Sequence, residues 1–152
     1  MVRVATFERI MIIFEKPTVV ITYDRDRAMI CQKWTGYTPP EDFRRAVDST
    51  FNFLSEKTIC RVLSDITRQK VVSPHEQDYT KNAAAAYYIK NNNLRIAFIT
   101  EPKSVAMACA SRYNSALIRE IGDEINSFFV CEEDALEWLL NDPERNLPGN
   151  SD

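Results

Sequence analysis

From about Ile59 onward the chain alternates short β-branched runs with longer stretches of helical spacing, and this alternation limits the fold more than any other feature. The runs T-I-C-R-V-L-S-D-I, L-R-I-A-F-I-T and S-F-F-V-C read as strands, because Val, Ile and Phe fit a pleated, half-buried surface. Helical patterns separate them: one from Ser73 through A-A-A-A-Y-Y-I-K to the Asn91-Asn92-Asn93 stop, and one starting near Glu101-Pro102 and ending before Gly122. That second helix is expected to turn Val105, Ala106, Cys109, Tyr113, Ala116 and Leu117 toward the core. Strand, helix and strand in one sheet join by a right-handed crossover, so these strands are expected to be parallel.

The first third has a different grammar. I-M-I-I-F, V-V-I-T-Y and A-M-I-C-Q-K-W, the last two separated by D-R-D-R, give a short leading strand and a hairpin, closed by Gly36 and Pro39-Pro40. Thr38 then offers a helix cap with Glu41 three residues on, and Phe43, Ala46, Val47, Thr50, Phe51 and Leu54 form one apolar face. The final helix, E-E-D-A-L-E-W-L-L, puts its acids at the positive end of the helix dipole. The expectation is an α/β domain with a mixed β-sheet: an antiparallel N-terminal hairpin followed by parallel βαβ crossovers. Arg61 and Arg95 lie inside strands, where a sheet covered on both faces rarely tolerates them. The helices are therefore expected chiefly on one face, with the other meeting solvent or a partner subunit, as in a homodimer.

A length of 152 residues with 45% hydrophobic content suits one core, so residues 1–140 are read as a single domain and 141–152 as a disordered tail. A net charge of −3 argues against a nucleic-acid partner. Cys31, Cys60, Cys109 and Cys131 are far apart in apolar segments beside a single histidine, which gives no metal-binding spacing. They read as small buried hydrophobes in a reducing cytoplasm. No apolar run reaches a membrane-spanning length, and the N-terminus lacks a signal-peptide pattern, so the expected location is cytoplasmic.

The stretch V-V-S-P-H-E-Q-D-Y-T holds the sharpest candidate, Ser73. As a cap, its hydroxyl accepts the N–H near Glu76, Pro74 suits the first helical position, and Glu76 reaches back. As a phospho-acceptor, it sits where a helix N-terminus stabilises phosphate, although Glu76 opposes that charge. A Ser73/His75 catalytic pair fails on spacing, since side chains two apart in a helical turn diverge. The three glycines fit no phosphate-binding motif. Asp24 with Asp26, and Glu132 with Glu133, read as solvated turn and dipole acids.

Open α/β sheets hold ligands at the carboxyl ends of their strands, where this chain places Asp65, Thr67 and Arg68, then Thr100, Glu101 and Lys103. They form either a polar ligand or partner site or an ordinary loop ion pair. The small residues Ala83 to Ala86 and A-M-A-C-A-S allow close helix packing, or else an apolar cleft lined by Tyr87 and Met107. No catalytic residue, cofactor or metal is expected.

K-W-T-G-Y after the hairpin, V-L-S-D-I in the next strand, V-V-S-P at the second helix and A-L-E-W-L-L at the end resemble the bacterial SpoIIAA-like proteins, a branch of the STAS fold, over Met11 to Leu140. The resemblance implies a β/α superhelix shared with CRAL-TRIO lipid-transfer domains. It implies a mostly non-catalytic role in binding protein partners, with a phosphorylated serine before the second core helix in anti-sigma-factor antagonists. Ser73 lies in that region, but V-V-S-P-H-E-Q lacks the glycines of the antagonists' D-S-S-G-L-G-like turn. The leading expectation is a non-enzymatic regulatory or protein-interaction domain. The alternative is a carrier or sensor of a small lipophilic ligand, including one acting at a membrane surface.

Overall fold

In the computed structural model, which describes residues 9–141, the element order is β1 (Ile10–Lys16), β2 (Val19–Asp24), β3 (Met29–Gly36), α1 (Pro40–Lys57), β4 (Arg61–Gln69), α2 (Pro74–Lys90), β5 (Arg95–Ile99), α3 (Val105–Ile121), β6 (Asn126–Phe129) and α4 (Glu132–Leu140). All six strands form one sheet in strict sequence order. The β1–β2 and β2–β3 pairs are antiparallel, and every later pair is parallel. The mixed α/β architecture is the one the alternation of strands and helices demands. Apart from Asn141, the expected tail lies outside the described residues.

Strand alternation divides the core in two. Ile30, Trp34, Val62, Ile66 and Ile96 point to a front face, where they pack with Phe43, Ala46, Val47 and Leu54 of α1, Ala84, Ala85 and Tyr87 of α2, and Ala106, Ala110, Tyr113 and Leu117 of α3. Met29, Leu63, Ala97 and Ile99 point to the back, where α4 covers them with Ala135 and Leu139. Helices thus lie chiefly on one face. Arg61 and Arg95 stand side by side in register at the start of β4 and β5, half-buried on the back, and Arg61 Nη1 donates to Arg27 O at 2.8 Å.

Several local expectations shift for identifiable reasons. Thr38 does not cap α1: the N-cap is Pro39, with φ −55° and ψ 146° and no side-chain capping bond. A residue preceding proline is driven out of the helical region, so Pro40 pushes Pro39 into extended backbone and the helix starts one residue later than expected. Thr38 is left outside the helix and buried. Likewise α3 starts at Val105 with Ser104 as N-cap, accepting Met107 N–H at 3.0 Å. As the first helical residue Val105 faces solvent instead of the core. Gly122 ends α3 at φ +74°, the left-handed cap that glycine adopts without strain.

Two further readings are corrected. Asp24 is buried, not solvated: it accepts Arg27 N–H at 3.3 Å and sits 3.7 Å from both Arg9 Nε and Arg27 Nη1. Cys131 is exposed, while the other three cysteines are half-buried. No helix among the described residues is long and apolar enough to cross a membrane.

Candidate functional site

The front face is not filled completely. Between the sheet and α1, α2 and α3 lies a cleft of about 80 Å³. Trp34, Phe43, Val47, Phe51, Val62, Ile66, Ile96, Phe98 and Ala110 give it apolar walls, with Trp34 and Phe43 tilted together at 5.0 Å between ring centroids. Tyr113 closes one end, its hydroxyl donating to Asn126 Oδ1 at 3.4 Å, and burial raises its phenol pKa above the ordinary value of 10.0 despite that bond. This wall stays neutral at physiological pH.

The floor is polar but satisfied. Gln32 Oε1 accepts from Trp34 Nε1 at 3.2 Å and from Ser64 Oγ at 2.8 Å, while Gln32 Nε2 donates to Thr50 Oγ1 at 2.8 Å. Thr50 Oγ1 in turn donates to Ala46 O at 3.0 Å. The network ties β3, β4 and α1 together beneath the cleft and fixes the amide's orientation.

Beside the cleft, at the carboxyl end of β4, lies a second, smaller chamber of about 10 Å³, lined by Gly36, Tyr37, Thr38, Val71, Ser73 and Glu76. Phe43, Gln69 and Val72 line both spaces. Gln69 reaches the front through a bulge: Lys33 pairs with Asp65 and Thr35 with Arg68, so β4 carries one residue more than β3 there. That extra residue reverses the alternation and lets Ile66 and Gln69, three apart, share one face.

Ser73 is the N-cap of α2, accepting Glu76 N–H at 3.4 Å, and its hydroxyl donates to Glu76 Oε1. The other carboxylate oxygen receives Arg44 of α1, whose Nε and Nη2 each lie 3.0 Å away. Buried Glu76 is thereby neutralised and bridges α1 to α2. His75 is exposed, and the Ser73 hydroxyl is engaged by Glu76.

The other candidates are dispersed. Asp65 accepts its own loop's Thr67 N–H at 3.0 Å and forms no ion pair with Arg68 or Lys103 among the described residues. Strand alternation sends Asp65 to the face opposite Ser64, away from the cleft. Thr67 Oγ1 donates to Ile99 O at 3.5 Å, and buried Thr100 Oγ1 sits 3.4 Å from Ser104 Oγ. Arg68 and Lys103 are exposed. Neither Tyr87 nor Met107 lines the cleft. Tyr87 OH donates to Ile59 O at 2.5 Å, locking α2 to the end of α1, and Met107 is half-buried beside the N-cap of α3. The alanine run packs α2 tightly there, so the cleft opens instead beneath Gln77 and Thr80 in the helix's first two turns.

Sequence reading named as site residues none of those that line the cleft, among them the polar Gln32, Ser64, Gln69 and Gln77. Gln32 left a signal: it falls between Ile30 and Trp34 on one strand face, a polar residue at an apolar beat.

No protein-family model and no curated protein matches the chain. Among solved structures it is similar to an uncharacterized protein of the DUF3478 family with a SpoIIAA-like fold from Shewanella loihica PV-4, with 19% identity and a TM-score of 0.48 over 86% of this chain and 91% of that one.

Proposed function

We propose that this domain is a non-enzymatic binding module that takes a small lipophilic molecule into the front cleft and serves as its carrier or sensor. The observation that carries the reading is the unfilled, apolar-walled cleft above a satisfied polar floor. Protein interiors normally pack to the density of organic crystals. A cleft of about 80 Å³ walled mostly by apolar side chains leaves apolar surface that a ligand of suitable shape would cover. An engineered apolar cavity of about 150 Å³ takes benzene, and this cleft, smaller but open at its mouth, takes a short chain or a single small ring.

Trp34 lines the cleft at 4% exposure and makes a built-in reporter. With Trp138 replaced by Phe to silence the other indole, benzene is expected to shift Trp34 fluorescence saturably and to raise Tm. Native mass spectrometry of protein purified from its own cells is expected to show mass that denaturation removes. No fluorescence response, no Tm shift and a bare native mass would overturn the proposal.

A second reading, docking of a protein partner at the same mouth, is favoured by exposed Tyr37 and Val71 beside Ser73. A phosphate on Ser73 would displace the Glu76 carboxylate and draw Arg44 to itself. Phosphate found on Ser73 in the denatured mass, together with a bare native chain, would support this reading over the carrier.

A further inference from the structure

The smaller chamber contains a mismatch that the cleft alone does not explain. Thr38 is 7% exposed and lines this chamber, yet its Oγ1 has no hydrogen-bond partner. Buried hydroxyls are normally paired, and an orphan of this kind marks a missing partner. The polar side chains nearest it bond to one another instead, with Ser73 and Arg44 each holding one Glu76 oxygen.

The first turns of α1 and α2 adjoin the chamber, but they are poor anion sites. Pro39, Pro40 and Pro74 occupy the leading positions and have no N–H to offer. Glu41, Asp42 and Glu76 already supply negative charge to these helix ends. A volume of about 10 Å³ accepts about one polar atom, not the two oxygens of a carboxylate. A buried anion would also meet the Glu76 carboxylate with a single hydroxyl to solvate it.

Resting on the cleft reading above, we infer that Thr38 receives the neutral oxygen of the bound lipophile, a hydroxyl or carbonyl head, while the apolar remainder lies against Trp34 and Phe43. The ligand class is therefore a small, uncharged, singly oxygenated lipophile. Charged acyl anions are excluded by the same chamber.

The test uses the full chain with Trp138→Phe and follows Trp34 fluorescence during titration with 1-hexanol, hexanoate and benzene at neutral pH. 1-Hexanol is expected to bind about tenfold or more tighter than hexanoate, the discrimination expected against an uncompensated buried charge. Thr38→Val is expected to weaken 1-hexanol by about three- to tenfold, the worth of one hydrogen bond, and to leave benzene unchanged. Thr38→Ser keeps the hydroxyl and is expected to retain the preference for the alcohol. Full 1-hexanol affinity in Thr38→Val, or hexanoate binding as tightly as 1-hexanol, would overturn the head-group assignment while benzene binding leaves the cleft reading standing. No benzene binding in the parent chain would overturn both.

Discussion

Replacing Thr38 by Val should make the ligand-free protein more stable. A buried hydroxyl without a partner carries a desolvation penalty of about 1–3 kcal/mol, and Val has the same shape without the polar atom. Thr38 is 7% exposed with Oγ1 unpaired, so most of that penalty applies. The lower end, about 1 kcal/mol, is the appropriate expectation, because the adjoining chamber of about 10 Å³ is just large enough for one water to satisfy the hydroxyl in part. For a chain of this size, 1 kcal/mol raises Tm by about 2–4 °C. The assay is urea unfolding of protein stripped of small molecules, read by circular dichroism, with the m-value required to stay constant. A Thr38→Val protein that is less stable than its parent, at equal m, would refute the reasoning, because it would mean that the hydroxyl has a partner in the free protein. The sign is opposite to that of ordinary core substitutions, which mostly destabilise. A residue whose removal stabilises the fold but weakens ligand binding is typical of a binding site under selection for function.

Four further outcomes follow from the geometry and the electrostatics. Arg44→Met strands the buried Glu76 carboxylate and should destabilise by about 2 kcal/mol in urea unfolding, less than for a fully buried pair because the Arg44 side chain is 48% exposed; adding Glu76→Gln should recover much of the loss. Gly122→Ala should cost about 1 kcal/mol in the same assay through its φ of +74° alone, since an added Cβ meets nothing within 4 Å. In thiol labelling at pH 8, exposed Cys131 should react first and Cys31 last, because burial, followed by the charges of Asp24 and Glu132, pushes the Cys31 thiol up from 9.0 to about 11. Between those two values the folded chain holds a proton that the unfolded chain has lost, so stability should fall as pH rises from about 9 to about 11, and Cys31→Val should flatten that slope.

Much of this architecture is legible in the sequence, because strands and helices announce themselves through different apolar periods. The run E-E-D-A-L-E-W-L-L coincides with α4, and the stop after the alanine run coincides with the end of α2 at Lys90. Reading faltered where two local rules competed. Thr38 and Glu41 have capping-box spacing, but the steric demand of Pro40 on Pro39 outweighs it. The cleft was less legible still. Gln69 reaches it only through a bulge in β4, which depends on how β3 and β4 pair and leaves no mark in either strand alone. The small residues on α2 and α3 left close packing and an apolar cleft both open, and composition cannot say which turn of a helix borders a cleft. Arg44 and Glu76 lie 32 positions apart, and only the docking of α1 beside α2 brings them together.

The strict β1 to β6 order also sets a schedule for the growing chain. Each strand that leaves the ribosome finds its neighbour already in place, so contacts form locally and the sheet can extend one strand at a time. The walls of the cleft are complete once Tyr113 has emerged, whereas Ala135 and Leu139, which seal Met29, Leu63, Ala97 and Ile99 on the back, arrive last. A nascent chain therefore passes through a stage with a formed binding face and a bare apolar reverse. A premature stop ahead of Glu132 would leave the product at that stage, sticky and prone to degradation.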